Sequence, residues 1–169
     1  MLNLPKKPLH PYLSYILTEQ QTGFEFNTEA INQHAKDYVK ENGNEAYVTS
    51  FYQSKAPINQ FLVEQFTPLL KKYLPDFQLI SAWYQRYKSF DSFNLHDHGS
   101  NAKVCGIFYL DDVGCTTFLN PNYLLPNQST IINIASEKNK LVIFSSWIPH
   151  YVMPHRKKDE RTIISFNLK

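Results

Sequence analysis

Three histidines carry the strongest chemical signal in the chain. His96 and His98 stand in Asn94-Leu95-His96-Asp97-His98-Gly99, and His150 closes Trp147-Ile148-Pro149-His150. Side chains alternate faces along a strand, so on a strand through 92–98 His96 and His98 point one way and Asp97 the other. Two imidazoles on one strand face make a natural pair of metal ligands, and neutral imidazole suits Fe, Zn, Cu or Ni. His150 follows a β-type run at a Pro-His turn, where the chain can bring it back as a third ligand. The competing reading is a set of surface or pocket histidines with no metal.

Arg161 is the next residue of interest. It opens the apolar run Thr162-Ile163-Ile164-Ser165-Phe166. A guanidinium at the mouth of a buried strand needs an anion, because an unpaired buried charge is expensive. Its planar fork matches a carboxylate. An ordinary salt bridge to Asp111, Asp112 or Glu160 would also serve. The other histidines carry less: His34 falls on a helix, His10 lies between prolines, and His155 begins a charged stretch, 155–161, expected to be a solvated hairpin.

Something must position these groups. Asn27-Thr28-Glu29 reads as a helix N-cap, with Ala30, Ile31, His34, Ala35, Tyr38 and Val39 at helical spacing before Glu41-Asn42-Gly43-Asn44 ends the run. A second helix is expected over about 57–73, where Phe61, Leu62, Phe66, Leu69 and Leu70 form a stripe that Pro68 should kink or split. From Gln78 onward the pattern turns to short β-type runs at 79–87, 92–98, 104–110, 116–119, 130–134, 141–144, 151–153 and 162–168. Turn residues separate them, at Gly99-Ser100-Asn101, 111–114, Asn120-Pro121-Asn122 and 136–139. The aromatic content of 15%, with 11 Tyr and 12 Phe against 5 Gly, suits sheets packed with rings. The expected fold is mainly β with N-terminal helices (α+β): a sandwich or jelly roll with helices packed on one face. One domain should cover 1–169, with 1–77 as helical support and 78–169 as the β core.

Composition excludes several classes. Seventeen basic against 15 acidic residues give a net charge of +2, too balanced to draw a membrane surface or nucleic acid by charge alone. No run approaches the roughly 18 apolar residues of a transmembrane helix. No apolar stretch follows Lys6-Lys7, so a secretory leader is not expected. Cys105 and Cys115 are the only cysteines, which argues against a disulfide scaffold and for a reducing, cytoplasmic setting.

Taken in order, the motifs resemble a known family. The segment 83–168 is similar to the double-stranded β-helix (cupin-like jelly-roll) core of the iron(II)- and 2-oxoglutarate-dependent oxygenases, near their prolyl-hydroxylase-like branch. The shared order is His96-Asp97-His98, then Gly106-Ile107-Phe108-Tyr109-Leu110, then Phe144 through His150, then Arg161 leading into Ser165-Phe166-Asn167-Leu168. A small bacterial and phage subgroup similarly carries His-x-His, a Gly-x-x-Tyr-Leu-like strand and a terminal Ser-Phe-Asn. The resemblance implies that His96, His98 and His150 hold Fe(II), and that Arg161 pairs with the distal carboxylate of 2-oxoglutarate, helped by Tyr109 and Ser165. It implies O2 as a reactant, decarboxylation of 2-oxoglutarate to succinate, and hydroxylation of a small-molecule or peptide substrate. Trp147 would shield the site by packing, and Trp83, Tyr84 and Tyr87 are candidates to line its mouth. Two positions depart from the family: His98 stands where the acidic ligand is usual, and Ile163 where a Ser often follows the Arg. Two further readings compete. One is a cupin-like three-His metal enzyme without 2-oxoglutarate, although no Glu follows His98 at the cupin spacing. The other is a non-catalytic β-barrel binding module.

Overall fold

The computed structural model describes residues 17–22, 27–42, 47–50, 56–156 and 159–169; His10 lies outside them. In chain order the elements are β1 (Leu17–Gln21), α1 (Thr28–Asn42), β2 (Tyr47–Thr49), α2 (Pro57–Tyr73), β3 (Leu79–Tyr87), β4 (Phe93–His96), a 3-10 turn (Gly99–Asn101), β5 (Val104–Tyr109), β6 (Cys115–Leu119), β7 (Ile131–Ala135), β8 (Lys140–Ser145), β9 (His150–Val152) and β10 (Arg161–Leu168). They form a six-stranded sheet, β1-β8-β5-β10-β3-β2, and a four-stranded sheet, β4-β9-β6-β7. Every pairing is antiparallel. This is the mainly β jelly roll that the short strands and turn residues predict, with α2 packed on β3 of the larger sheet and α1 packed on α2.

Both helices form where the sequence places them. Asn27 Oδ1 accepts from the Ala30 N–H at 3.0 Å, the N-cap bond expected of that residue. His34, on α1, rests its ring 4.5 Å from Phe61 of α2. Pro68 does not split α2, which runs unbroken through it. Pro68 is exposed, so its ring meets solvent rather than the sheet, and the one backbone bond it removes is lost on the wet side.

Period-two alternation divides β10 between two cores. Ile164, Phe166 and Leu168 join Leu62, Phe66 and Leu70 of α2 in the layer between sheet and helix. Ile163 faces the other way, into the inter-sheet layer with Tyr87, Ile107, Tyr109, Phe118 and Phe144. Arg161, Ser165 and Asn167 share that inward parity, so the strand that seals the helical core also presents three polar side chains to the space between the sheets.

The differences from the sequence reading are local. β1 and β2 fall in the segment expected to be helical support; one is a polar five-residue edge and the other three residues long, so their strand state comes from pairing with β8 and β3 rather than from propensity. The strand expected over 92–98 stops at His96. His155 is buried at 8% exposure rather than part of a solvated hairpin.

Candidate metal and cosubstrate site

A cavity of about 340 Å³ opens between the two sheets. His96, His98 and His150 line it on one side and Trp83, Gln85 and Ser165 on the other. Each histidine is held by a different local device. His96 ends β4 and pairs directly with His150, the first residue of β9, which brings residues far apart in sequence side by side. His98 lies beyond the strand. Asp97 Oδ1 accepts from the Gly99 N–H at 2.9 Å, an Asx-turn that Gly99 completes at φ +48°. The His98 N–H then donates to the Ser146 carbonyl at 2.9 Å, which pins the turn to the end of β8. Asp97 is therefore a turn-former, and the three rings meet without a shared strand face.

The ring geometry suits a cation. One nitrogen from each of His96, His98 and His150 lies within 4.8 Å of the other two. Imidazole–metal bonds are about 2.0–2.1 Å, so two nitrogens on one ion stand at most about 4.2 Å apart and the three must draw together to share it. His96 Nδ1 sits 2.9 Å from the Asn94 carbonyl, and His150 Nδ1 3.1 Å from the Ile148 carbonyl. A carbonyl only accepts, so both Nδ1 atoms carry the proton and Nε2 is left as the donor lone pair. Burial, reinforced by the His96 charge, lowers the His98 pKa to about 4. Burial likewise takes His150 to about 3, with His96 the next cause. Both rings are neutral near pH 7, as metal ligands must be. Phe144 and Phe118 wall off His150, at 4.7 and 5.6 Å between ring centroids.

Arg161 is fully buried. Its Nε donates to Ser136 Oγ at 3.2 Å and its Nη2 to Thr116 Oγ1 at 2.8 Å. Tyr109 donates its phenol to the same Thr116 oxygen at 2.8 Å. The guanidinium carbon stands 5.1 Å from the Tyr87 ring centroid and 5.6 Å from that of Tyr109. Nη1 is buried with no hydrogen-bond partner among the described residues. None of the three expected carboxylates takes it: Asp111 accepts from Thr162 and Val113, Asp112 from the Lys138 N–H, and Glu160 pairs with Arg86 at 3.8 Å. Thr116 and Tyr87 line the cavity, so the arginine stands directly behind its wall.

Ser165 is placed differently from the sequence reading. Its hydroxyl donates to Gln85 Oε1 at 2.6 Å, not toward Arg161. Four residues of strand span roughly 13 Å, beyond the reach of the guanidinium. The hydroxyls that do serve Arg161, Thr116 and Ser136, lie on other elements, and no sequence motif marks them. Trp83 and Tyr87 line the cavity, while Tyr84 faces the helical core. Trp147 is 42% exposed, so it is not the packed shield expected.

A family model described as "Putative 2OG-Fe(II) oxygenase" matches residues 81–167. The fold is similar to a non-heme alpha ketoglutarate dependent carbocyclase, SnoK, from nogalamycin biosynthesis (TM-score 0.65, 11% identity, 90% of this chain and 78% of that one). It is also similar to HygX from Streptomyces hygroscopicus with nickel and 2-oxoglutarate bound (TM-score 0.64, 9% identity, 91% and 81%). Prolyl 4-hydroxylases from Phytophthora capsici are a third match (TM-score 0.57, 20% identity, 92% and 58%). A search of curated proteins found no match.

Proposed function

The chain belongs to the 2OG-Fe(II) oxygenase family, an oxidoreductase family whose cofactor is Fe(II) and whose cosubstrates are 2-oxoglutarate and O2, and on that premise we propose that His96, His98 and His150 hold the iron while Arg161 holds the far end of 2-oxoglutarate. The observation that carries this reading is the dry, unpartnered Nη1 of Arg161, set behind the same cavity that the three histidines line. A buried guanidinium with hydroxyl partners on two nitrogens and none on the third is completed by a carboxylate. The donor set fits as well: imidazole nitrogens bind Fe(II).

When bound, the iron and 2-oxoglutarate supply an oxidising equivalent through loss of CO2 and formation of succinate, and one oxygen atom is delivered to a substrate C–H bond. The protein's own groups do the rest. Asn94 and Ile148 carbonyls fix the tautomers of His96 and His150, so the lone pairs face inward before any ion arrives. Thr116 links Arg161 and Tyr109 and holds the guanidinium in one orientation, which sets how far a five-carbon diacid extends toward the histidines. Phe118 and Phe144 pack against the His150 ring and keep it buried. Gln85 and Ser165, bonded to each other, line the wall left for a small substrate.

One feature favours a second reading. Three imidazoles without a carboxylate also suit a cupin-like metal enzyme that uses no 2-oxo acid. Release of labelled CO2 from 1-labelled 2-oxoglutarate, with iron and O2 but no prime substrate, separates the two. The oxygenase reading expects slow uncoupled release that His150→Ala abolishes. Absence of release from iron-loaded wild type would favour the cupin-like alternative.

A further inference from the structure

His155 and Arg161 pack against the same glycine. A Cβ built on Gly114 would lie 3.0 Å from Arg161 Cδ, 3.5 Å from Arg161 Nε and 3.9 Å from His155 Cβ. Gly114 itself, at φ +77°, adopts a backbone few other residues take. Both side chains are more than nine-tenths buried. Among the described residues, Arg161 Nη1 and both ring nitrogens of His155 have no hydrogen-bond partner.

The backbone of His155 is fixed. Its carbonyl accepts from the Phe90 N–H at 2.9 Å and the Ser89 hydroxyl at 3.4 Å. Those residues follow β3 directly, and the last residue of β3 is Tyr87, whose ring faces the guanidinium. The two side chains that flank this glycine thus carry three dry polar nitrogens, and each costs about as much as a lost hydrogen bond. One small group with several acceptor positions would satisfy more than one of them.

We propose that His155 is a second donor to the carboxylate that Arg161 holds. This rests on the role given to Arg161 under Proposed function. Arg161 spends Nε on Ser136 and Nη2 on Thr116, so it offers Nη1. A carboxylate has two oxygens and about four acceptor positions. Nη1 carries two N–H groups, and a ring N–H of His155 adds a further donor for the acceptor positions that they leave open.

The test uses the full chain loaded with Ni(II), which prevents turnover, titrated calorimetrically with 2-oxoglutarate and with pyruvate. Pyruvate has the metal-binding end but no distal carboxylate. His155→Phe keeps a flat ring without the N–H, and His155→Gln keeps a donor. The expected result is that His155→Phe weakens 2-oxoglutarate about ten- to hundredfold and leaves pyruvate unchanged, while His155→Gln recovers most of the loss. Equal weakening of both acids would mark His155 as structural and overturn the proposal. So would unchanged 2-oxoglutarate affinity in His155→Phe alongside its loss in Arg161→Ala, an outcome that leaves the oxygenase reading intact. Unchanged affinity in Arg161→Ala would overturn that reading as well. Should His155→Phe fail to fold, nitrogen NMR of histidine-labelled, Zn(II)-loaded wild type decides. The His155 ring must shift with 2-oxoglutarate and not with pyruvate, and a silent ring overturns the proposal.

Discussion

At the scale of single residues, His98 is where this chain departs from a two-His, one-carboxylate site. An imidazole there makes the metal site more positive by one charge than an aspartate would. If His98 is a ligand, His98→Asp keeps a competent Fe(II) donor with poorer reach, whereas His98→Ala offers none. Anaerobic Fe(II) titrations should therefore place wild type and His98→Asp both well above His98→Ala, and equal affinity in all three would remove His98 from the site. The histidine cluster was legible from spacing alone, although for a partly wrong reason: alternation along one strand was expected, and the chain instead ends β4 at His96 and turns His98 in with Asp97 and Gly99. Asp-x-Gly is a turn signature that could have shown this. The hydroxyls on Arg161 were not legible, because Ser136 and Thr116 lie 25 and 45 residues away in sequence and only the sheet topology brings them together.

At the scale of elements, the pairing of β5 with β10 carries the site. Arg161, Ile163, Ser165 and Asn167 reach the inter-sheet space because Phe166 and Ile164 are locked into the opposite layer. Gly106 sits across from Phe166 in that register. A Cβ at Gly106 would fall 2.1 Å from Phe166 Cζ and 2.3 Å from Cε2, so the ring lies over bare backbone. Gly106→Ala must push the ring aside and should destabilise the fold by about 1–3 kcal/mol or more, the usual cost of overpacking a core. Urea unfolding measures this, and an unchanged midpoint would mean that β5 and β10 do not pack as described. The β half was readable from its short runs and turn residues. β1 and β2 were not, since an edge strand such as Leu-Thr-Glu-Gln-Gln takes its conformation from β8 and carries little local signal.

At the scale of the whole molecule, neutral buried histidines tie stability to pH. His98 and His150 have pKa values below their ordinary value in the fold, so the unfolded chain binds more protons once pH drops below about 6.5. The metal-free protein should therefore lose stability as pH falls from about 7 toward 4, by up to roughly 1.4 kcal/mol per pH unit for each histidine. His150→Phe should flatten that slope. A metal-free melting temperature that is the same at pH 7 and pH 4.5 would contradict the burial of these rings. The measurement that bears most directly on the central claim is an anaerobic titration of the iron-loaded protein with 2-oxoglutarate, followed by the weak visible charge-transfer band of the chelated cosubstrate. The account predicts a saturable band in wild type. In Arg161→Ala the half-saturation point should rise roughly 30- to several-thousand-fold while Fe(II) affinity stays the same. A band that saturates at the same concentration in both proteins, or no band with iron fully bound, would contradict it.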